Sequence, residues 1–243
     1  MQSSVGISGA DNSWFLINAS PDLPRQIENT PDLQPRGGSP RNTPIAGIFL
    51  TNADLDHALG LVLMRQQETP LIVFASSETQ GALRWVSLLL KPFGGIEWRM
   101  IPHKLMSLGH GIAFSSIALE KSFAFQFRDE NSGATALIAP AVGQITDQLR
   151  DAIQKADVVL FDGTFWSNGE LRAVRPGART AREMNHLPIS EGSLELLRDA
   201  PAHRKIYTHI NNTNPLLSPG SRERTTVEQA GLEIAHDGLE IIL

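Results

Sequence analysis

The chain has no cysteine. Disulfides and cysteine-ligated zinc knuckles are excluded, so any metal site must be built from imidazole and carboxylate ligands. No apolar run approaches the roughly 18 residues that a membrane-spanning helix needs, and residues 1–20 lack the basic-then-apolar order of a signal peptide. The expectation is a cytoplasmic protein with no membrane partner. A basic excess is also missing: 21 Lys and Arg are scattered against 26 Asp and Glu, for a formal net charge of -5. That leaves no polybasic groove for a nucleic-acid backbone, and nucleic acid is not an expected partner. Neither an internal repeat nor a low-complexity segment is found.

What is present is 243 residues with 41% apolar content, enough for one large globular domain spanning the whole chain. Ser3–Ser8 and Trp14–Ala19 read as a hairpin turning at Gly9-Ala10-Asp11-Asn12. Residues 30–44 carry Pro31, Pro35, Pro40 and Pro44 with Gly37-Gly38, the composition of a surface loop. Ile45–Leu50 is a continuous apolar run, the pattern of a strand covered on both faces. A helical stretch follows through Met64, then a strand at Leu71–Phe74 and an amphipathic helix from about Thr79 to Leu90. Strand character dominates from Glu97 to Pro140, at Ile112–Leu119, Phe123–Phe127 and Ala134–Ala139. A helix over Thr146–Lys155 leads into a covered strand, Val158–Phe161. Ser190 is suited to cap a helix to about Ala200, Arg204–Thr208 is a strand, and a last helix ends before Gly231. The layering is α/β.

Three of the covered strands end in residues that can bind ligands: Leu50 runs into Asn52, Asp54, Asp56 and His57; Phe161 into Asp162; Tyr207 into His209. Loops beyond strand ends combine a fixed origin with room for a substrate. Asp54 and His57, three apart at a strand-to-helix junction, suit one pocket that His209 closes from another strand, with Asp56 turned away. Helix N-capping accounts equally well for either aspartate alone. His186 suits a ligand, a substrate contact or a helix-entry hydrogen bond. Asn211, Asn212 and Asn214 follow His209 directly and suit a side-chain-braced turn or substrate contacts. Arg172, Arg175, Arg179 and Arg182 suit a solvated face or bidentate recognition of carboxylates. His103, His110, His203 and His236 read as solvated turn residues.

Read in order, Asn18-Ala19-Ser20-Pro21-Asp22, Thr51-Asn52-Ala53-Asp54-Leu55-Asp56-His57, Phe161-Asp162-Gly163-Thr164, the segment 185–190 and Thr208-His209-Ile210-Asn211-Asn212-Thr213-Asn214-Pro215 resemble the pyrroloquinoline quinone biosynthesis protein B family. The resemblance covers nearly the whole chain. It implies a metallo-β-lactamase-like αββα sandwich with a metal at one edge. The superfamily's His-x-His-x-Asp-His motif falls on Asn52, Asp54, Asp56 and His57, so both leading histidines are replaced. Its bridging aspartate falls near residues 139–143, which hold no carboxylate, and a histidine is missing around Lys121. A two-zinc hydrolytic centre is hard to build from what remains. The implied ligands are Asp54, His57 and His209, with Asp56 and Asp162 hydrogen-bonding behind them. Two imidazoles and one carboxylate match non-haem iron(II) oxygenases, and the same set also holds zinc.

The activity implied is hydroxylation of the tyrosine of a Glu–Tyr precursor with iron(II) and dioxygen, with Asp54, His57, His209 and Asp162 at the reaction centre. Asn211, Asn212, Asn214, His186 and Arg179 are then the substrate contacts. The other implied roles are a zinc-dependent hydrolase and a carrier of the quinone or its precursor toward the periplasm; a homodimer is carried forward as the assembly. Family members begin with a strand and a cysteine-rich zinc knot ahead of the segment matching Gln2-Ser3-Ser4-Val5. The chain as written starts there, which implies an exposed sheet edge.

Overall fold

A computed structural model describes residues 4–9, 11–35, 37, 42–64 and 69–243. Ser3 and Ala10 of the expected hairpin, Gln2, and Gly38 and Pro40 of the expected loop lie outside the described residues. The chain divides into two compact units, Met1–Pro102 with Ser107–Ile112, and His103–Met106 with Ala113–Leu243.

The strands are β1 Val5–Ser8, β2 Trp14–Ile17, β3 Ile45–Phe49, β4 Leu71–Ala75, β5 Ile96–Met100, β6 Met106–Gly109, β7 Ile112–Ala118, β8 Phe123–Asp129, β9 Thr135–Ala139, β10 Val158–Asp162, β11 Arg204–Thr208 and β12 Glu233–Ile234. The helices are α1 Leu23–Asn29, α2 Leu55–Ala58, α3 Ser77–Ala82, α4 Arg84–Leu90, α5 Asp147–Lys155, α6 Glu170–Val174, α7 Ser193–Arg198 and α8 Arg222–Gln229. One sheet runs β1-β2-β3-β4-β5 and the other β12-β11-β10-β9-β8-β7-β6. Both are mixed: β1 joins β2 antiparallel while β2 through β5 pair in parallel. In the larger sheet β9, β10, β11 and β12 are parallel, and β8 meets β9 antiparallel.

The apolar runs become buried strands as expected; all five residues of β10 are buried. In the first unit they pack into a core of Leu16, Ile48, Leu50, Leu61, Val73, Val86 and neighbours. The second unit's core gathers Leu137, Ile153, Val159, Phe161, Ile189, Leu197, Tyr207 and Val227. Helix α5 starts where Thr146 accepts the Leu149 N–H at 3.2 Å and carries Asp147 in its first turn and Lys155 in its last, matching its dipole.

Two expected helices are shorter. The Thr79–Leu90 span is capped earlier, by Ser76, and breaks at Leu83 into α3 and α4. The helix expected from Ser190 begins only at Ser193, because Gly192 takes φ 144°, outside helical geometry. The strand-rich span after Glu97 resolves into β5 through β9. Among the described residues, no helix is long and apolar enough to cross a membrane.

Candidate metal centre

In the second unit, β10 delivers Asp162 to its end as a fully buried carboxylate. Its Oδ1 accepts the Thr164 N–H at 3.0 Å and the Thr164 hydroxyl at 2.6 Å. Its Oδ2 accepts the Val142 N–H at 2.8 Å and His186 Nδ1 at 2.7 Å. Burial pushes this carboxyl up, but the charge and hydrogen bond of His186, followed by the charge of His209 and the Thr164 hydroxyl, outweigh it and hold Asp162 below the usual carboxylate value. Sequence reasoning found no carboxylate at residues 139–143; the structure brings one to Val142 from β10.

The proton positions follow from this network. The single Thr164 hydroxyl proton goes to Asp162, so at 2.8 Å from His209 Nδ1 the Thr164 oxygen accepts, and His209 carries its proton on Nδ1. His186 Nδ1 faces a carboxylate oxygen and is also the protonated nitrogen. In both rings the lone pair therefore sits on Nε2, the arrangement in which outer-sphere hydrogen bonds fix metal-binding imidazoles. The rings stack at 22° with centroids 5.6 Å apart, and one ligand-capable atom from each of Asp162, His186 and His209 lies within 4.8 Å of the others. Because Asp162 already accepts four hydrogen bonds, it orients the imidazoles, and each imidazole keeps its lone pair on Nε2.

Backbone geometry aims these rings. His209 follows β11 with φ 58° and Asn185 precedes His186 with φ 64°, both in the left-handed region that non-glycine residues enter at a cost of about 1 kcal/mol. A Cβ at Gly143 would lie 2.1 Å from Asn185 Oδ1, so a larger residue there would displace the Asn185 amide.

The first unit presents His57 in a comparable way. His57 is buried in α2, and its Nδ1 lies 2.9 Å from Thr51 Oγ1 and 2.6 Å from Asn52 Oδ1. Thr51 gives its hydroxyl proton to Asn18 Oδ1 at 3.0 Å, so both neighbours of Nδ1 are acceptors and Nδ1 is protonated. The Nε2 lone pair lies 3.8 Å from Asp56 Oδ2. Asp54 is the residue before α2, exposed, with its carboxylate accepting from Asn52 Nδ2 at 2.7 Å. Gly60 lets the Asn18–Ser20 loop close on α2, since a Cβ would come within 2.2 Å of the Ser20 carbonyl oxygen.

Of the remaining expected residues, Asn214 is buried with its amide committed to backbone: Nδ2 donates to the Gly163 carbonyl at 2.8 Å, and Oδ1 accepts the Leu216 N–H at 3.0 Å. Asn211 Nδ2 donates to Thr213, whose hydroxyl donates to Glu170, each at 2.6 Å. Burial raises the Glu170 carboxyl above its ordinary value. Asn212 and Arg179 are exposed. Arg172 and Arg182 of the basic cluster bind Glu183 and Glu191. A cavity of about 520 Å³ lies alongside, with Gly143 and Leu187 in its wall next to Val142 and His186, and Arg150, Gln154 and Glu195 among its polar lining. His186, for which the sequence left a ligand, a substrate contact and a helix-entry hydrogen bond open, is bonded to Asp162.

Residues 13–210 match the family model described as a beta-lactamase superfamily domain. Coenzyme PQQ synthesis protein B of Cupriavidus necator is 34% identical over 267 residues, covering all of this chain and 87% of that protein. The protein of the same name from Bradyrhizobium diazoefficiens is 35% identical over 272 residues, covering all of this chain and 88% of the relative. The crystal structure of Zn²⁺-bound PqqB from Methylobacterium extorquens superposes with a TM-score of 0.91 at 29% identity, over all of this chain and 88% of that one. The metallo-β-lactamase fold implied by the sequence resemblance is borne out.

Proposed function

The chain belongs to the coenzyme PQQ synthesis protein B family, and within that biosynthesis we propose that it acts as a non-haem iron-dependent oxygenase hydroxylating the tyrosine of a Glu–Tyr precursor. The observation that carries the metal-dependent reading is Asp162, which holds His186 directly and His209 through the Thr164 hydroxyl so that both imidazoles keep Nε2 as the donor atom. When bound, iron(II) supplies dioxygen activation. The residues around it orient and exclude: Asp162 fixes both tautomers, buried Asn214 holds the 163–164 loop in place, and Phe165 packs edge-on against His186, 5.9 Å between ring centroids. Asn211, Asn212 and Arg179 are the candidates for holding the peptide. One oxygen atom is inserted into an aromatic C–H bond, and the other leaves as water, taking up two electrons and two protons from a reductant such as ascorbate and solvent.

A second reading, a zinc-dependent hydrolase, is favoured by the Zn²⁺ bound in the Methylobacterium extorquens relative. In that reading the same two imidazoles would hold the zinc, which would supply Lewis-acid activation of water.

Anaerobic loading with iron(II) or zinc, followed by metal analysis and oxygen uptake with a Glu–Tyr dipeptide and a reductant, tests both. The oxygenase reading expects one iron per chain, its loss in His186→Ala and His209→Ala, and oxygen uptake only with peptide present. Activity that persists without oxygen selects the hydrolase. Unchanged metal content in both variants sinks the ligand assignment.

A further inference from the structure

Strand β5 closes one end of the five-stranded sheet, and among the described residues β4 is the strand that pairs with it. The Leu71 N–H donates to the Gly95 carbonyl at 3.1 Å, which fixes the phase of the ladder. Gly95, Glu97 and Arg99 thus bond toward β4, and by the alternation of a strand Ile96, Trp98 and Met100 turn their N–H and C=O groups outward. Edge strands are commonly blunted by charged side chains, lysine above all, by proline or by a bulge. The five residues Ile-Glu-Trp-Arg-Met contain no lysine or proline, and their pairing with β4 is in unbroken register.

The two faces of β5 differ in chemistry. On one, Ile96 and Trp98 pack against the core and Trp98 Nε1 donates to Ser87 of α4 at 2.8 Å. Around them Met100 is 59% exposed, and α4 leaves Leu88 and Leu89 exposed at 73% and 56%. On the other face Glu97 and Arg99 are exposed and paired with each other at 2.7 Å.

We infer that β5 is a self-association edge, at which a second copy of this chain adds its own β5 antiparallel across a two-fold axis at Trp98. In that register Trp98 opposes Trp98 and Ile96 opposes Met100, and these positions exchange the outward backbone groups. Glu97 then opposes the partner's Arg99, twice by symmetry, at the non-hydrogen-bonded positions where opposing Cα atoms approach to about 4.5 Å and side chains are closest. An axis at Glu97 or at Arg99 would instead set like charges face to face, so the charge pattern selects the Trp98 register. The exposed Met100 and α4 leucines supply apolar surface beside the seam.

Sedimentation velocity and light scattering over a concentration series test this, with circular dichroism to confirm folding. Wild type is expected at twice the 26.5 kDa chain mass. Glu97→Arg and Arg99→Glu each place like charges across the axis and weaken association roughly tenfold or more. The double variant Glu97→Arg/Arg99→Glu exchanges the two roles and restores the dimer. A monomeric wild type, a dimer indifferent to the single reversals, or a folded double variant that stays monomeric overturns the inference.

Discussion

The histidine settings of the two units are built on the same plan with different chemistry at the base. In the first unit the Asn18 amide oxygen takes the Thr51 N–H and hydroxyl at 2.9 and 3.0 Å, and Thr51 Oγ1 accepts from His57. In the second, the Asp162 carboxylate takes the Thr164 N–H and hydroxyl at 3.0 and 2.6 Å, and Thr164 Oγ1 accepts from His209. A hydroxyl whose proton is committed elsewhere suffices to fix an imidazole tautomer, whether the group behind it is neutral or charged. The charge is a separate property. It lets Asp162 hold a second imidazole, His186, with its other oxygen.

Replacing the charge is the severest test of that difference. Asp162→Asn offers one acceptor oxygen where four donors converge, and its amide hydrogens confront two of them. We expect a loss of about 3 kcal/mol by denaturant unfolding, the scale for breaking a buried charged network. The same carboxylate makes the second unit acid-sensitive. Its folded-state value is depressed, so the unfolded chain binds more protons in acid. The stabilisation is fully present above the unfolded value of about 3.9 and is lost as pH falls through the folded one. Measured in chelator-containing buffer, wild-type stability should fall more steeply below that point than that of Asp162→Asn; parallel slopes would remove the distinction between amide and carboxylate.

The corresponding change in the first unit should cost less. Asn18→Gly keeps a residue that tolerates the left-handed φ of 63° but strips the acceptor from the buried Thr51 N–H. Leaving that donor unsatisfied costs about 1–2 kcal/mol, with no added acid dependence. A loss as large as that of Asp162→Asn would show that the amide carries more than orientation.

Much of this frame was legible in the sequence, for physical reasons. β3 and β10 are short apolar runs and β11 turns apolar at Ile206-Tyr207; polar residues follow each, the pattern that marks Asp162, His57 and His209 as strand-end groups. The use of each side chain was less visible. His186 lies in a segment without periodicity, and its bond to Asp162 depends on Leu187 N–H closing onto the Val142 carbonyl at 2.6 Å, 45 residues away in the chain. Helix interruptions at Leu83 and Gly192 are set by local backbone geometry that hydrophobic spacing does not encode. The Asn211–Asn214 run read both as a braced turn and as substrate contacts; the turn reading describes Asn214, whose amide is fully spent on backbone groups.

The smallest expected effect separates two neighbouring aspartates. Asp54 was the expected ligand, with Asp56 behind it. In the structure the Asp54 carboxylate is exposed and engaged with Asn52, whereas Asp56 Oδ2 lies 3.8 Å from the nitrogen of His57 that bears the lone pair. The exposed carboxylate is bonded through one oxygen that an asparagine retains, so Asp54→Asn should change stability by no more than about 0.5 kcal/mol. It should also leave the metal content of the purified protein unchanged. Asp56→Asn, two residues further on, removes the same charge beside His57 and should remain equally folded. If instead Asp54→Asn alone loses metal, the expected ligand set stands, and the Asn52 contact is a resting arrangement that metal binding replaces.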